Sequence, residues 1–339
     1  MTTPVLDAGT LETLVAAAVA APSIHNTQPW RFRLDPASRA VEVYAAPERA
    51  LRLADPTGRA LHVSVGGAVF NLRVAAAHFG WEPVLALLPR PADPALLAAV
   101  RLAGPPRAAR PADAARPRWE GLYEAIWQRH SSRMPFSDRP LPEGLPEALT
   151  AAARTEGADL RFPGAEESVR LLALTTEAEQ RNTGEPARRV ESRSWITGPD
   201  GGPYGIPATA LGPQDAEARV PMRDFSGRPL RRHLPTADFE SHPHLTVLTT
   251  RQDRPVDWLR AGQALEHVLL LLTAHGLRAS LLHQALEWPD LRWLLRDPGA
   301  AVCSPQMLVR VGYGPQGPAT PRRAAAESMD ERALLHRVR

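Results

Sequence analysis

The stretch A21-P-S-I-H-N-T-Q-P-W-R-F32 decides the reading of this chain. It follows an alanine-rich run with helical character and crowds Ser23, His25, Asn26, Thr27 and Gln28 between two prolines. Neither a helix interior nor a strand interior suits that mixture. Pro22 and Pro29 restrict the backbone around it, which preorganises a loop. The Asn26 and Gln28 amides each carry donors and an acceptor, so they suit a ligand edge that alternates carbonyl and N–H groups. For His25 and Thr27 the expected role is a turn whose polar groups satisfy their own backbone. Trp30 opens a strand and reads as core.

The elements around this loop follow from pattern. Residues 10–21 read as a helix with Thr10 as N-cap. RFRL and AVEVYAA (40–46) read as strands joined by the turn DPAS. Residues 56–80 form a long helix ending near Gly80, 82–89 a strand, and 92–102 a short helix or strand. Residues 103–118 are Pro, Ala and Arg without period, and read as a linker.

The pattern then restarts with helices closing at 123–133 and over 141–157, a strand at 159–162, and a helix over 165–181. Residues 182–243 are rich in Gly, Pro and Arg and read as a working loop or a disordered one. A strand at 245–250, a long buried helix over 255–277 and a final strand at 307–314 complete the chain. Residues 57–81 resemble 258–280, and 11–34 resemble 145–162, so an ancient internal duplication is expected. The second copy lacks the Asn, Gln and Trp of the first.

Composition bounds the function. The 339 residues carry 44% hydrophobic and 23% charged side chains with a net charge of +3, an ordinary globular balance. Every strongly basic side chain is Arg, which matches a GC-rich coding bias and does not argue for nucleic acid. Cys303 is the only cysteine, so neither an internal disulfide nor a thiolate zinc site is expected. The histidines lack metal-ligand spacing with carboxylates, and no metal is expected. The first residues carry Asp7 and Glu12 without a basic leader and read as helix, not signal. The apolar run around 268–274 is too short to span a bilayer. These readings give a cytoplasmic expectation with no membrane and no nucleic acid. VGGAVFN (65–71) is no dinucleotide fingerprint, and a Gly-x-Ser-x-Gly elbow is absent.

Three stretches together resemble a known family. APSIHNTQPWRF resembles the Pro-Ser-x-x-Asn-x-Gln-Pro-Trp motif of FMN-dependent nitroreductase-fold proteins. RHSSRMPFSDRPLP (129–142) resembles that family's Arg-rich Ser-x-Arg-x-Phe stretch, with Asp138, Pro140 and Pro142 also following it. LVRVGYG with PATPRR (308–323) resembles its C-terminal strand and arginine. With the repeat, the likeness spans about 10–325 and points to the Acg-like subgroup, in which two nitroreductase-like units share one polypeptide.

The resemblance implies an α+β fold of nitroreductase type, internally duplicated so that one chain mimics the family homodimer. The halves are 1–102 and 119–325, joined by 103–118, with a lid-like insertion at about 182–243 and a tail at 326–339. FMN is the implied cofactor, one per chain. Its phosphate and pyrimidine edge are assigned to Arg129, His130, Ser131 and Arg133, with Arg322 or Arg323 completing the phosphate cluster. Ser23, Asn26 and Gln28 face the ring. His283 and Gln284 fall where the family presents a backbone N–H to flavin N5, though members often have Glu-Gly there. No side chain is assigned a catalytic role, since flavin N5 carries the chemistry. The implied activity is hydride transfer from NAD(P)H through FMN to a nitroaromatic, quinone or similar small acceptor, by a monomer of pseudo-dimer architecture. The alternative is an FMN-storing or sequestering protein with a lidded site and little turnover.

Overall fold

The computed structural model describes residues 6–104, 119, 121–197, 201–225, 235–297, 299 and 303–330. Most of the expected linker and the tail beyond residue 330 lie outside the described residues.

In the first half, α1 (Ala8–Val19) is followed by β1 (Trp30–Asp35), β2 (Ala40–Ala45), α2 (Arg59–His78), β3 (Glu82–Leu87) and β4 (Leu96–Ala103). The expected N-cap at Thr10 is corrected. Asp7 caps α1, its side chain accepting from the Thr10 N–H at 2.8 Å, because a carboxylate reaches an orphan donor of the first turn from just outside the helix. Residues 96–103, left open between helix and strand, are a strand paired on both sides.

The second half opens with α3 (Leu122–Gln128) and α4 (Leu145–Thr155), then β5 (Asp159–Arg161) and α5 (Ala165–Gly184). The insertion holds α6 (Pro186–Ser194) and the short strands β6 (Ile196–Thr197), β7 (Ile206–Pro207), β8 (Gln214–Asp215) and β9 (Thr236–Ala237). The chain continues through β10 (His244–Thr250), α7 (Pro255–Ala274), β11 (Arg278–Leu282), α8 (Pro289–Leu294), β12 (Ser304–Gly312) and α9 (Ala325–Ser328). Several elements escape the sequence reading, among them the short strands β6–β9 and α9. Helix α6 lies among residues read as loop, α8 is only six residues long, and β11 is a five-residue strand directly behind a long helix.

Two four-stranded sheets result, ordered β1-β2-β4-β3 and β11-β12-β10-β5, with every neighbour antiparallel. Read from the strand that follows the long helix, both have one connectivity. The strand after the helix sits at one edge and the final strand beside it, and the two strands that precede the helix fill the remaining places.

Helices α2 and α7, each of 20 residues, pack against one another between the sheets. A Cβ on Gly66 would collide with the Leu259 carbonyl, and a Cβ on Gly262 with the Val63 carbonyl. The two glycines face one another, each Cβ position falling 2.8–2.9 Å from the other's Cα. The two cores also exchange side chains: Leu259 and Leu270 of α7 join the first, and Val63 of α2 joins the second. Helix α2 is long and apolar enough to cross a membrane by composition, but most of its length is buried inside the protein.

Candidate functional site

The loop at 21–32 is held in unusual backbone geometry. His25, Asn26 and Gln28 have φ of 48°, 55° and 53°. Left-handed conformations of non-glycine residues cost about 1–3 kcal/mol each and persist only where surrounding contacts impose them. Here the contacts are polar. Ser23 Oγ accepts from the Gln28 N–H at 2.9 Å, and Ser64 Oγ on α2 accepts from the Ile24 N–H at 3.2 Å. The Asn26 amide donates to the Gly205 and Pro321 carbonyls, both at 2.8 Å. The Gln28 amide donates to the Pro203 carbonyl and accepts from the Arg323 N–H, both at 2.8 Å. The insertion and the C-terminal segment therefore clamp the loop from two directions.

A cavity opens between this loop, the middle of α2 and α7, β11 and the insertion. Of the sequence-assigned residues, Ser23, Asn26, His130, Ser131, Arg133, His283, Gln284 and Arg322 line it. Gln28, Arg129 and Arg323 are absent from its wall. Gln28 is fully buried with its amide committed to protein partners. Arg129 lies behind the wall, donating to the Ala20 carbonyl at 3.1 Å and pairing with Glu266 at 3.4 Å. Arg323 stacks over the Tyr204 ring at 4.7 Å. Of the last two arginines, Arg322 lines the cavity and Arg323 does not.

The Ser131 segment is placed by β11. Ser131 forms an isolated bridge with Ala279, and the Ser132 N–H donates to the Ala279 carbonyl at 2.8 Å. A buried ion pair supports the same segment. Arg310 on β12 pairs with Glu240 at 2.8 Å and donates to the Met134 carbonyl at 2.7 Å, while Glu240 accepts from the Phe136 N–H at 2.9 Å.

The electrostatics of the cavity are unbalanced. Arg133 donates to the Ala210 carbonyl at 2.9 Å, and Arg322 to the Ala21 and Thr320 carbonyls at 3.2 and 3.1 Å. Among the described residues neither has a carboxylate partner. Burial and then the neighbouring Arg223 bring the Arg133 guanidinium down to about 10, and burial and then Arg129 bring that of Arg322 down to about 9. Both remain cations at neutral pH. A guanidinium deprived of water and of a counter-ion is costly, so these two cations suit a bound anion with several oxygens. Among the described residues nothing donates to the buried Asn26 side-chain oxygen, leaving an acceptor for a ligand N–H.

A second cluster escaped the sequence reading. Arg223, from the insertion, donates both terminal nitrogens to Glu287 at 2.6 and 2.8 Å. His283 Nδ1 lies 3.1 Å from Glu287, and Arg59 on α2 reaches His283 Nε2 at 2.9 Å. Burial alone would raise the Glu287 carboxyl, but the Arg223 charge and the hydrogen bonds outweigh it and hold the group well below the usual carboxylate range. The His283 side chain thus bridges Arg59 and Glu287, whatever its backbone N–H does. Nothing local marks Arg223 among so many arginines, whereas Glu287, four residues after His283 in a segment already singled out, carried a weak spacing signal.

Fold and site together define a class: an α+β protein with two like sheets flanking paired helices, and a cavity beside them whose wall carries Arg133 and Arg322. No protein-family model matches the chain. The Mycobacterium tuberculosis (strain H37Rv) protein named “Putative NAD(P)H nitroreductase Rv3131” is 34% identical over 335 residues, covering 97% of this chain and 94% of its own. The nitroreductase Acg of the same strain, also named as an NAD(P)H enzyme, is 28% identical, over 96% of this chain and 97% of its own. The chain belongs to the nitroreductase family, with the Acg-like relatives. Solved structures give looser likenesses. A nitroreductase from Anabaena variabilis has a TM-score of 0.44 at 12% identity, covering 90% of this chain and 88% of its own. The FMN-dependent nitroreductase NfnB from Mycobacterium smegmatis, in complex with NADPH, has a TM-score of 0.37 at 16% identity, covering 61% of this chain and 96% of its own.

Proposed function

We propose that the protein is an FMN-dependent oxidoreductase that takes hydride from NADH or NADPH and delivers it to a nitroaromatic, quinone or similar acceptor. The observation that carries this reading is the pair Arg133 and Arg322: two cavity-lining cations without a carboxylate partner, in a nitroreductase-family chain. FMN, when bound, supplies a ring that accepts and releases hydride.

The residues present fit that cofactor. Arg322, Ser131 and His130 would hold the phosphate, with Arg129 supporting them from behind. Arg133 and the free Asn26 oxygen would meet the polar ring edge. The Gln28 amide is spent on Pro203 and Arg323, so its part is to clamp the loop rather than to touch the ring. Met222 and Phe225 of the insertion line the cavity and keep water from it.

We also read the chain as an internal duplication that works as a monomer with one FMN. The shared sheet connectivity and the reciprocal contact of Gly66 and Gly262 support the duplication. The Asn-x-Gln loop and the Arg-x-Ser-x-Arg element each occur in one half only, which supports a single site. Titrating the apoprotein with FMN should saturate at one equivalent, and two equivalents would overturn that count.

One feature favours the storage reading. The insertion is tied across the site by Pro203, Gly205 and Arg223 to Gln28, Asn26 and Glu287, and a closed lid limits exchange of substrates. Anaerobic mixing of the FMN-loaded protein with NADPH separates the two. Rapid loss of the oxidised flavin absorbance identifies an oxidoreductase, and persistence over many minutes identifies a sequestering protein.

A further inference from the structure

His25 was expected to satisfy a local turn, yet neither ring nitrogen bonds to the turn's backbone. Nε2 lies 2.9 Å from Arg223 Nη1, and Nδ1 is buried with no partner among the described residues. The residue lines the cavity and is 6% exposed. A guanidinium can only donate, so Nε2 must accept, and a neutral ring then carries its proton on Nδ1. Burial, followed by the Arg223 charge, keeps the ring neutral by holding its pKa well below the ordinary histidine value. Arg223 cannot turn to offer anything else, because both terminal nitrogens are fixed on Glu287. The edge-on packing of Phe225 against the imidazole, 5.2 Å between centroids, fixes the ring plane.

We propose that His25 is a ligand-binding residue whose Nδ1–H donates a hydrogen bond to an uncharged acceptor oxygen on the molecule that fills the cavity, with Arg223 selecting the tautomer. A buried donor without an acceptor is costly, and the left-handed φ at His25 adds to that cost. A ligand oxygen would remove the first penalty. The neighbouring Asn26 oxygen is an unpartnered acceptor on the same cavity. The two residues thus offer a donor and an acceptor side by side, the complement of a carbonyl next to an N–H. Two sources supply such an oxygen, a carbonyl of the flavin ring or the carbonyl or nitro oxygen of the electron acceptor. The inference rests on the proposed function only for the identity of these two molecules.

The test uses the full chain purified with FMN. Nitrogen-15 spectra of the imidazole should show His25 neutral and protonated on Nδ1. An Nε2-protonated or cationic ring overturns the inference whatever fills the cavity. His25→Phe keeps the ring shape and removes the donor, and His25→Asn places an amide N–H near the Nδ1 position. If the flavin supplies the oxygen, His25→Phe weakens FMN binding roughly tenfold, the worth of one hydrogen bond. If the acceptor supplies it, FMN affinity is unchanged and the KM for a para-quinone rises by a similar factor while kcat moves little. His25→Asn recovers most of either loss. Values for His25→Phe within twofold of wild type in both measurements overturn the inference. A wild-type chain that binds no flavin overturns the functional reading instead, and the tautomer spectrum still decides the case of His25.

Discussion

Arg223 and Glu287 form a two-pronged ion pair, at 2.6 and 2.8 Å, that joins the insertion to the turn following β11. Glu287 is fully buried at its carboxylate, and Arg188 and His283 also approach it. Removing one partner of such a pair leaves an uncompensated buried charge. Arg223→Met should therefore cost about 3–5 kcal/mol in denaturant unfolding and speed FMN release. Because the folded-state carboxyl is depressed, the stability it contributes is present above about pH 4.5 and fades only as pH falls well below that, through the folded value. An unchanged unfolding midpoint in the variant would show that the contact carries no load.

Glu179 has the opposite sign. Burial pushes its carboxyl up to about 7, against the pull of Arg223 and of the Asp224 N–H that donates to it at 2.8 Å. The folded state therefore binds the proton more tightly than the unfolded chain. Its favourable contribution is complete below about pH 4.5 and is lost as pH rises through about 7. Glu179→Gln keeps the acceptor oxygen and removes the ionisation. Wild type should lose on the order of 2–3 kcal/mol between pH 5 and 8.5 from this group. The variant's pH-stability profile should lack that decline, and parallel profiles would refute the assignment.

The anionic end of the ligand can be tested by removing it. FMN and riboflavin share the ring and differ in the phosphate, so Arg133→Met and Arg322→Met separate ring contacts from phosphate contacts. Arg322→Met should weaken FMN binding by about 2–3 kcal/mol, in the range of charged hydrogen bonds, and leave riboflavin binding nearly unchanged. Arg133→Met should weaken both, since that residue is assigned to the ring edge. Isothermal titration with the two flavins reads the difference. Equal losses for FMN and riboflavin in Arg322→Met would remove it from the phosphate site.

Gly66 and Gly262 make a stability prediction that runs against helix propensity. In an exposed helix, Gly→Ala gains about 1 kcal/mol. At the α2–α7 crossing the added Cβ meets backbone of the facing helix and cannot be relieved by a rotamer change. Gly262→Ala should destabilise by about 1–3 kcal/mol or more and shift the cavity that Gly262 helps to line. Thermal unfolding measures the first effect, and a gain in melting temperature would contradict the close approach.

Much of the fold was legible because its long elements carry strong periodicity: the helices at 59–78 and 255–274, and the strands that flank them, lie close to where pattern puts them. The loop at 21–32 stood out because prolines and amides in that density suit neither a helix nor a strand interior, and part of it lines the cavity. Short elements were not: α6, α8 and β11 depend on neighbours for burial and pairing, and their sequences differ little from loop.

The sequence alone determined the kind of groups available: an amide-rich loop in one half, an arginine–serine element in the other, and the family to which both belong. Tertiary structure decided which of them meet. It tied the Gln28 amide to Pro203 and Arg323, set Arg129 behind the cavity wall, put Arg322 but not Arg323 on that wall, and brought Arg223 from the insertion to His25 and Glu287. The physical reason is that an amide or guanidinium is satisfied by whichever partner reaches it first in three dimensions. That partner lies up to 302 residues away along the chain, beyond the reach of any local pattern.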